Sequence, residues 1–211
     1  MHEKKRCLIF AGGDCPKRPI NTDGAFIIAA DSGFIHTLKL GITPHLIVGD
    51  FDSYRGVLPE GIPSVKLPTH KDITDTHAAV MEGIRAGCEE FEFYGAIGSS
   101  PDHSFANLFL LLYLLNKGKS GAIFTDTCKI QMIRNTRICL SSAPGSRLSV
   151  FPFGGTAQGV FLGGVEYPLN DATLTCDFPL GVSNRLVNGQ VTVEVKDGVL
   201  LLYSYFEGSD G

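Results

Sequence analysis

The 211-residue chain has no tryptophan, no pair of cysteines in a C-x-x-C spacing, no Lys/Arg cluster that resembles a nucleic-acid stripe, and no long apolar run. Each absence closes off a class of protein. Without paired cysteines there is no sign of a zinc ribbon or a redox dithiol. The six cysteines, at 7, 15, 88, 128, 139 and 176, are expected to be buried apolar residues. The longest apolar stretch, Leu108 to Leu115, is eight residues, far too short to span a bilayer as a helix. The polar start Met1 to Arg6 is followed by no signal-peptide apolar region, and with scattered thiols this gives the expectation of a cytoplasmic protein without a membrane partner. A net charge of -4 and the lack of a basic stripe exclude a nucleic-acid footprint. What remains is ordinary globular material, 44% apolar and 19% charged, rich in turns with its 25 glycines.

The first half alternates short apolar runs with helical segments. Cys7 to Ala11, Phe26 to Ala30, His45 to Val48, Phe91 to Tyr94 and Ala122 to Thr125 read as strands buried on both faces. Helices are expected over 34–40, from Thr74 to Ala86 with a stop at Gly87, and over 103–116. In the second of these, Val80, Ile84 and Cys88 would share a face. The third is apolar nearly all round, so it should be buried or shared with a partner subunit. After about residue 126 no helical pattern remains. Short strands take over, and Asn188-Gly189 and Asp197-Gly198 read as hairpin turns. The expected fold is an α/β N-terminal domain with a mostly parallel sheet, residues 1–127, plus an all-β C-terminal sandwich domain, residues 128–211.

Acidic residues gather at the predicted strand ends. Asp31 follows the second strand, and Asp50 and Asp52 follow the third in Gly49-Asp50-Phe51-Asp52-Ser53. Asp72 and Asp75 open a helix in Lys71-Asp72-Ile73-Thr74-Asp75, and Asp102 opens the apolar helix beside His103. Ligands of open parallel sheets bind outside the carboxyl ends of the strands. Converging carboxylates there would repel one another unless a cation such as Mg²⁺, shared with substrate phosphates, neutralised them. Taken singly, each motif also has a plain structural reading: a turn for Asp50 and Asp52, and a helix cap or first-turn acid for Asp72, Thr74, Asp75 and Asp102. His103 reads equally as a first-turn residue, and Asn107 as a buried hydrogen-bonding residue.

Taken in order, these elements resemble thiamine pyrophosphokinases of the bacterial type. The resemblance rests on Asp31-Ser32-Gly33, the G-D-F-D-S run 49–53, the K-D-I-T-D run 71–75, Gly95-Ala96-Ile97-Gly98 leading to Asp102-His103 and Asn107, and the tail Gly181-Val182-Ser183-Asn184. It spans about 6 to 204. It implies a Mg²⁺-dependent transfer of pyrophosphate from ATP to the hydroxyl of thiamine, giving AMP, in a homodimer with shared active sites. By that resemblance Asp50, Asp52 and Asp75 would hold Mg²⁺. Asp31, Ser53, Lys71, Asp72, Thr74 and Asp102 would line the nucleotide and phosphate region, with His103 and Asn107 beside them. Ser183 and Asn184 would meet the thiamine pyrimidine, and Lys71, Asp75 and Asp102 would serve the chemistry.

One stretch departs from the family pattern. Where that family usually carries Gly-Gly-Arg before the Asp-His pair, this chain has Ser99-Ser100-Pro101. Pro101 cannot clamp a phosphate as an arginine would, a loss of about 1.5–3 kcal/mol of charge-assisted contact. A metal-dependent nucleotide phosphohydrolase using the same carboxylates, or a weakly active thiamine- or nucleotide-binding homologue, are the alternatives this leaves open.

Overall fold

A computed structural model describes residues 4–50, 61–68 and 72–208. The chain divides into two compact units, 1–126 and 127–211.

The first unit runs β1 (Arg6–Phe10), β2 (Phe26–Ala30), α1 (Gly33–Lys39), β3 (Leu46–Gly49), β4 (Ser64–Lys66), α2 (Asp75–Arg85), β5 (Glu90–Tyr94), α3 (Pro101–Asn116) and β6 (Ser120–Phe124). Its strands are all parallel, in the order β6-β5-β1-β2-β3-β4. The apolar runs behave as doubly covered strands do: Cys7, Leu8, Ile9 and Phe10 are all at 0% exposure. Strand β4, which no apolar run announces, is a short addition at the sheet edge.

One face of the sheet is covered partly by α1, whose Phe34 packs on Ala29 and Ile47, and partly by chain outside any helix. The connection between β1 and β2 lays Cys15, Ile20 and Ala25 over Leu8, Phe10, Ile27 and Tyr94. Three rings stack across adjacent strands there, Phe10 on Tyr94 at 5.3 Å and Tyr94 on Phe124 at 5.6 Å. Such pairs add about 0.5–1.5 kcal/mol each beyond area burial. The Tyr94 hydroxyl donates to Glu92 at 2.7 Å, and Glu92 in turn pairs with Arg6 at 3.1 Å. The Tyr94 phenol is therefore pushed well above its ordinary pKa, by burial first and by Glu92 second.

Helix α2 packs on β1, β2 and β3 through Thr76, Ala79, Val80 and Gly83. Of the expected face, Val80 and Cys88 are fully buried and Ile84 half-buried, but the helix ends at Arg85, so Cys88 lies beyond it, and Gly83 makes the closest approach to the sheet. Helix α3 buries Asn107, Leu108, Leu110, Leu111 and Leu114, but Phe105 and Phe109 are 57% and 47% exposed. An apolar circumference therefore does not bury the whole helix within the chain. It begins at Pro101, two residues before the expected start, with proline at its usual first helical position.

The second unit contains β7 (Cys128–Arg134), β8 (Arg137–Ser141), β9 (Arg147–Pro152), β10 (Ala157–Gly163), β11 (Leu169–Leu174), β12 (Asn184–Arg185), β13 (Gln190–Glu194) and β14 (Val199–Tyr205). Within it, β12-β9-β14-β7 and β11-β10-β13-β8 form two antiparallel layers. Their inner faces meet in one core that includes Leu148, Val160, Val193 and Leu200. This is the all-β sandwich read from the sequence.

The turn reading needs correction. Strand β13 pairs with β8 and β10, and β14 pairs with β7 and β9. Neither Asn188-Gly189 nor Asp197-Gly198 therefore closes a hairpin; both carry the chain from one layer to the other. Gly189 and Gly198 supply the reversal with φ of 71° and 113°. The partner is chosen by burial: Val191 and Val193 must face Leu200 and Leu202 across the core, not lie beside them in one sheet. The cysteines divide as well. Cys7, Cys88 and Cys128 are buried, but Cys139 and Cys176 are exposed, contrary to a uniform core reading.

Candidate active site

The strand order reverses at β1, with β2 on one side and β5 on the other. That is the topological switch point, where open α/β sheets form a crevice at the carboxyl ends of their strands. A cavity of about 490 Å³ lies there. It is bounded by the turns after β1 (Ala11 to Gly13), β2 (Ala30 to Ser32) and β5 (Gly95 to Ser100), and by the first turns of α2 and α3.

Glycine lets these turns approach backbone to backbone. Gly13 N–H donates to the Gly95 carbonyl and Asp14 N–H to the Ile97 carbonyl, both at 2.7 Å. A Cβ on Gly13 would stand 2.5 Å from the Ile97 oxygen, and one on Gly98 would stand 2.8 Å from Gly13 Cα. Two residues not marked as important by the sequence reading hold these turns. Ser104 Oγ accepts from Gly98 N–H at 3.1 Å and donates to the Ser100 carbonyl at 2.9 Å, and the His36 ring meets the Gly13 carbonyl at 2.8 Å. Serine and histidine at these spacings match no sequence signal, since their partners lie on the backbone of other turns.

Of the sequence candidates, Asp31, Thr74, Asp75, His103 and Asn107 line the cavity. Asp31 sits on a left-handed backbone (φ 45°), tied by its N–H to the Val48 carbonyl at 2.8 Å. Gly49 lets β3 close on it, since an added Cβ would lie 3.2 Å from Asp31 Cα. Thr74 caps α2, its hydroxyl accepting from His77 N–H at 3.1 Å, and Asp75 is the first-turn acid. Both plain structural roles are thus filled by residues that also face the cavity. Asn107, buried, donates from Nδ2 to the Ala96 carbonyl at 2.7 Å and so fixes the β5–α3 turn. Asp50 directly follows β3, and Asp72 is exposed ahead of α2. Asp102 is exposed, receives His103 N–H at 2.9 Å, and is not among the cavity-lining residues. Asp52, Ser53 and Lys71 lie outside the described residues.

The described lining carries two carboxylates and one imidazole, and no lysine or arginine. Two helix N-termini, of α2 and α3, also open onto it, and such ends favour anions. Among the described residues no three His, Cys, Asp or Glu side chains converge as a metal cluster. The two carboxylates, Asp31 and Asp75, with the Thr74 hydroxyl are hard oxygen donors, the type that suits Mg²⁺.

In the second unit, Ser183 is exposed on a left-handed backbone (φ 56°), with its N–H donating to Ser149 Oγ at 3.0 Å. Asn184 is buried. Its Oδ1 accepts from Tyr167 N–H and Arg185 N–H at 3.0 Å each, and its Nδ2 donates to the Tyr167 carbonyl at 2.6 Å. Its amide thereby locks the peptide groups of Tyr167, whose own ring is 72% exposed.

Two family models match the chain: the thiamin pyrophosphokinase catalytic domain over residues 19–123, and the thiamin pyrophosphokinase vitamin B1 binding domain over 130–200. The chain belongs to the thiamine pyrophosphokinase family. As a member it is an enzyme, a transferase of the kinase type. A thiamine pyrophosphokinase of Bacillus subtilis is 26% identical over 181 residues, covering 83% of this chain and 85% of that relative. Thiamine pyrophosphokinase 2 of Oryza sativa is 25% identical over 187 residues, covering 82% and 69%. The crystal structure of the Bacillus subtilis enzyme shares the fold at a TM-score of 0.84 and 23% identity, over 96% of this chain and 100% of that one. Thiamin pyrophosphokinase from Candida albicans does so at 0.73 and 15%, over 96% and 89%. The fold class read from the sequence, a parallel α/β domain followed by a β-sandwich, is that of this thiamine pyrophosphokinase family.

Proposed function

We propose that the protein transfers the pyrophosphoryl group of ATP to the hydroxyl of thiamine, releasing AMP. The observation that carries this reading is the cavity at the switch point, lined by Asp31 and by Thr74 and Asp75 at the N-terminus of α2, with the first turn of α3 beside them, within the unit that matches the catalytic-domain model.

In this reaction the thiamine oxygen attacks the β-phosphorus, the bond to the bridging oxygen of the α-phosphate breaks, and the hydroxyl proton passes to a base. The protein's task is mainly positioning and charge compensation. The turns at 11–13 and 95–100, locked to each other, form a rigid floor against which phosphates can settle, and the end of α3 presents N–H groups toward them. Of the two candidate bases, Asp75 is favoured over Asp102 because it lines the cavity. Lys71 would add a point charge near the phosphates. Asp50, Asp52 and Asp75 would hold Mg²⁺, which when bound neutralises phosphate charge. Asp31, Ser53, Asp72, Thr74 and His103 would line the nucleotide region, and Asn107 would act by holding the Ala96 carbonyl. Ser183 would meet the pyrimidine of thiamine, and Asn184 would serve by fixing Tyr167 beside it. The reading further assigns a cytoplasmic homodimer whose active sites are shared between subunits.

Incubation with ATP, Mg²⁺ and thiamine, followed by phosphorus NMR, tests this. AMP and thiamine diphosphate should rise together. Release of inorganic phosphate or pyrophosphate with no thiamine product would replace the reading with nucleotide hydrolysis.

A further inference from the structure

Helix α1 is set hard against the turn that follows β1. A Cβ on Gly33 would stand 2.0 Å from the Phe10 carbonyl oxygen, and one on Gly12 would stand 2.1 Å from Ser32 Oγ. With no room between them, a side chain that α1 projects toward this turn is held in place. That side chain is His36, half-buried, whose Nε2 lies 2.8 Å from the Gly13 carbonyl oxygen. A carbonyl only accepts, so Nε2 carries the proton, in the neutral ring as in the charged one.

Gly13 has no side chain to restrain the peptide that follows it, so hydrogen bonds set the orientation of that peptide. On one side Asp14 N–H donates to the Ile97 carbonyl at 2.7 Å; on the other His36 donates to the Gly13 oxygen. The peptide is thus one link in a chain from α1, through the β1 turn, to the β5–α3 turn. Gly13 lines the cavity at the switch point and His36 does not, so the imidazole acts on the cavity through the turn. Without His36 the Gly13 oxygen would lose its partner in the wall of a cavity that holds Asp31 and Asp75 and, among the described lining residues, no lysine or arginine. A carbonyl oxygen left bare there is costly and adds a negative dipole end where phosphates must settle. We infer that His36 is a positioning residue for the nucleotide, fixing the Gly13–Asp14 peptide so that the β1 turn can receive the phosphates of ATP. This rests on the reading of the cavity as the ATP site. The effect should fall on the nucleotide and spare thiamine, whose pyrimidine that reading assigns to Ser183.

Titration calorimetry of the full chain with α,β-methylene-ATP and Mg²⁺ tests this without turnover, because the bond that the transfer breaks is blocked. His36→Leu should weaken binding about tenfold, as loss of a partner at a buried polar group does, and raise KM for ATP alike, with KM for thiamine moved less than about twofold. His36→Gln, whose amide nitrogen can reach where Nε2 stands, should restore affinity to within about threefold of the unsubstituted protein. His36→Asn is too short to reach and should behave as His36→Leu; it takes the place of that variant if leucine leaves the chain unfolded by circular dichroism. In nitrogen-15 NMR of the unsubstituted protein, neutral His36 should carry its proton on Nε2. Unchanged nucleotide affinity in the leucine or asparagine variant, no rescue by glutamine, an equal loss for thiamine, a proton on Nδ1 instead, or no binding of the analogue by the unsubstituted protein would each overturn the assignment. Thiamine diphosphate formation is a separate readout: its absence, with these binding results intact, would remove the transfer reaction and leave His36 positioning a nucleotide.

Discussion

Thr74 and Asp75 are chain neighbours with separable duties. The Thr74 hydroxyl closes the first turn of α2, whereas Asp75 faces the cavity from that turn. Thr74→Ala should cost about 1 kcal/mol of stability, as lost N-caps do, and is read from the shift in a urea unfolding midpoint. Asp75→Asn keeps the shape and removes the charge. It should lower thiamine diphosphate formation by about 10²–10⁴-fold while unfolding at nearly the same urea concentration. A full-rate Asp75→Asn enzyme would remove Asp75 from both its base and metal roles. His77, one turn along, packs edge-on against Tyr113 at 4.7 Å, and partial burial holds its pKa below the ordinary histidine value. The unfolded chain therefore binds the His77 proton more readily than the folded one. Its contribution to stability is complete above the unfolded pKa of about 6.5 and is lost as pH falls toward the folded value. Equilibrium unfolding of His77→Phe should show a flatter decline in stability below pH 6.5 than the unsubstituted protein.

At the scale of elements, the site depends on how closely turns and helices approach the sheet. Gly83 brings α2 so near the strands that a Cβ there would lie 2.6 Å from Phe91 Cε1 and 2.9 Å from Cys7 Sγ. Gly83→Ala should therefore lose about 1–3 kcal/mol by overpacking, the reverse of the gain expected for alanine in an exposed helix. Thermal unfolding checks the sign. These approaches also mark where the sequence stops being informative. The apolar runs of β1, β2, β3 and β5 were readable because both faces are buried, and the Thr74 cap and Gly87 stop because helix ends have local chemistry. Gly83 was not readable, since its role comes from Phe91 and Cys7, remote in sequence. The glycine turns of the sandwich announced a reversal but not its partner, because partner choice is set by the shared core of two layers and not by the turn. Likewise Asp31 and Asp50 could be placed at strand ends, Asp75 at a helix start and Asn107 as a buried hydrogen-bonding residue from the sequence, but the clamps made by Ser104 and His36 could not.

For the whole molecule, exposed apolar side chains on both units raise the question of what covers them. Phe105 and Phe109 stand together on α3 with their rings 5.2 Å apart, and Phe178, Leu180 and Val182 lead to Ser183 in the sandwich. Exposed apolar groups of this kind commonly mark interfaces. The proposed homodimer with shared sites gives them a use, and it makes a prediction that a self-sufficient monomer does not. Asp75→Asn disables a group in the first unit. Ser183→Arg, at an exposed position in the second, sets a cation where cationic thiamine would dock. Each variant alone should be nearly inactive. If a site draws Asp75 from one chain and Ser183 from its partner, refolding the two variants together gives half mixed dimers. In each mixed dimer one site takes both substitutions and the other takes neither. Activity should then return to roughly a quarter of that of the unsubstituted protein at equal chain concentration, as two-fold symmetry requires. Sedimentation should show a species of twice the chain mass in the same samples. A refolded mixture as inactive as its parents would place both residues in the site of a single chain.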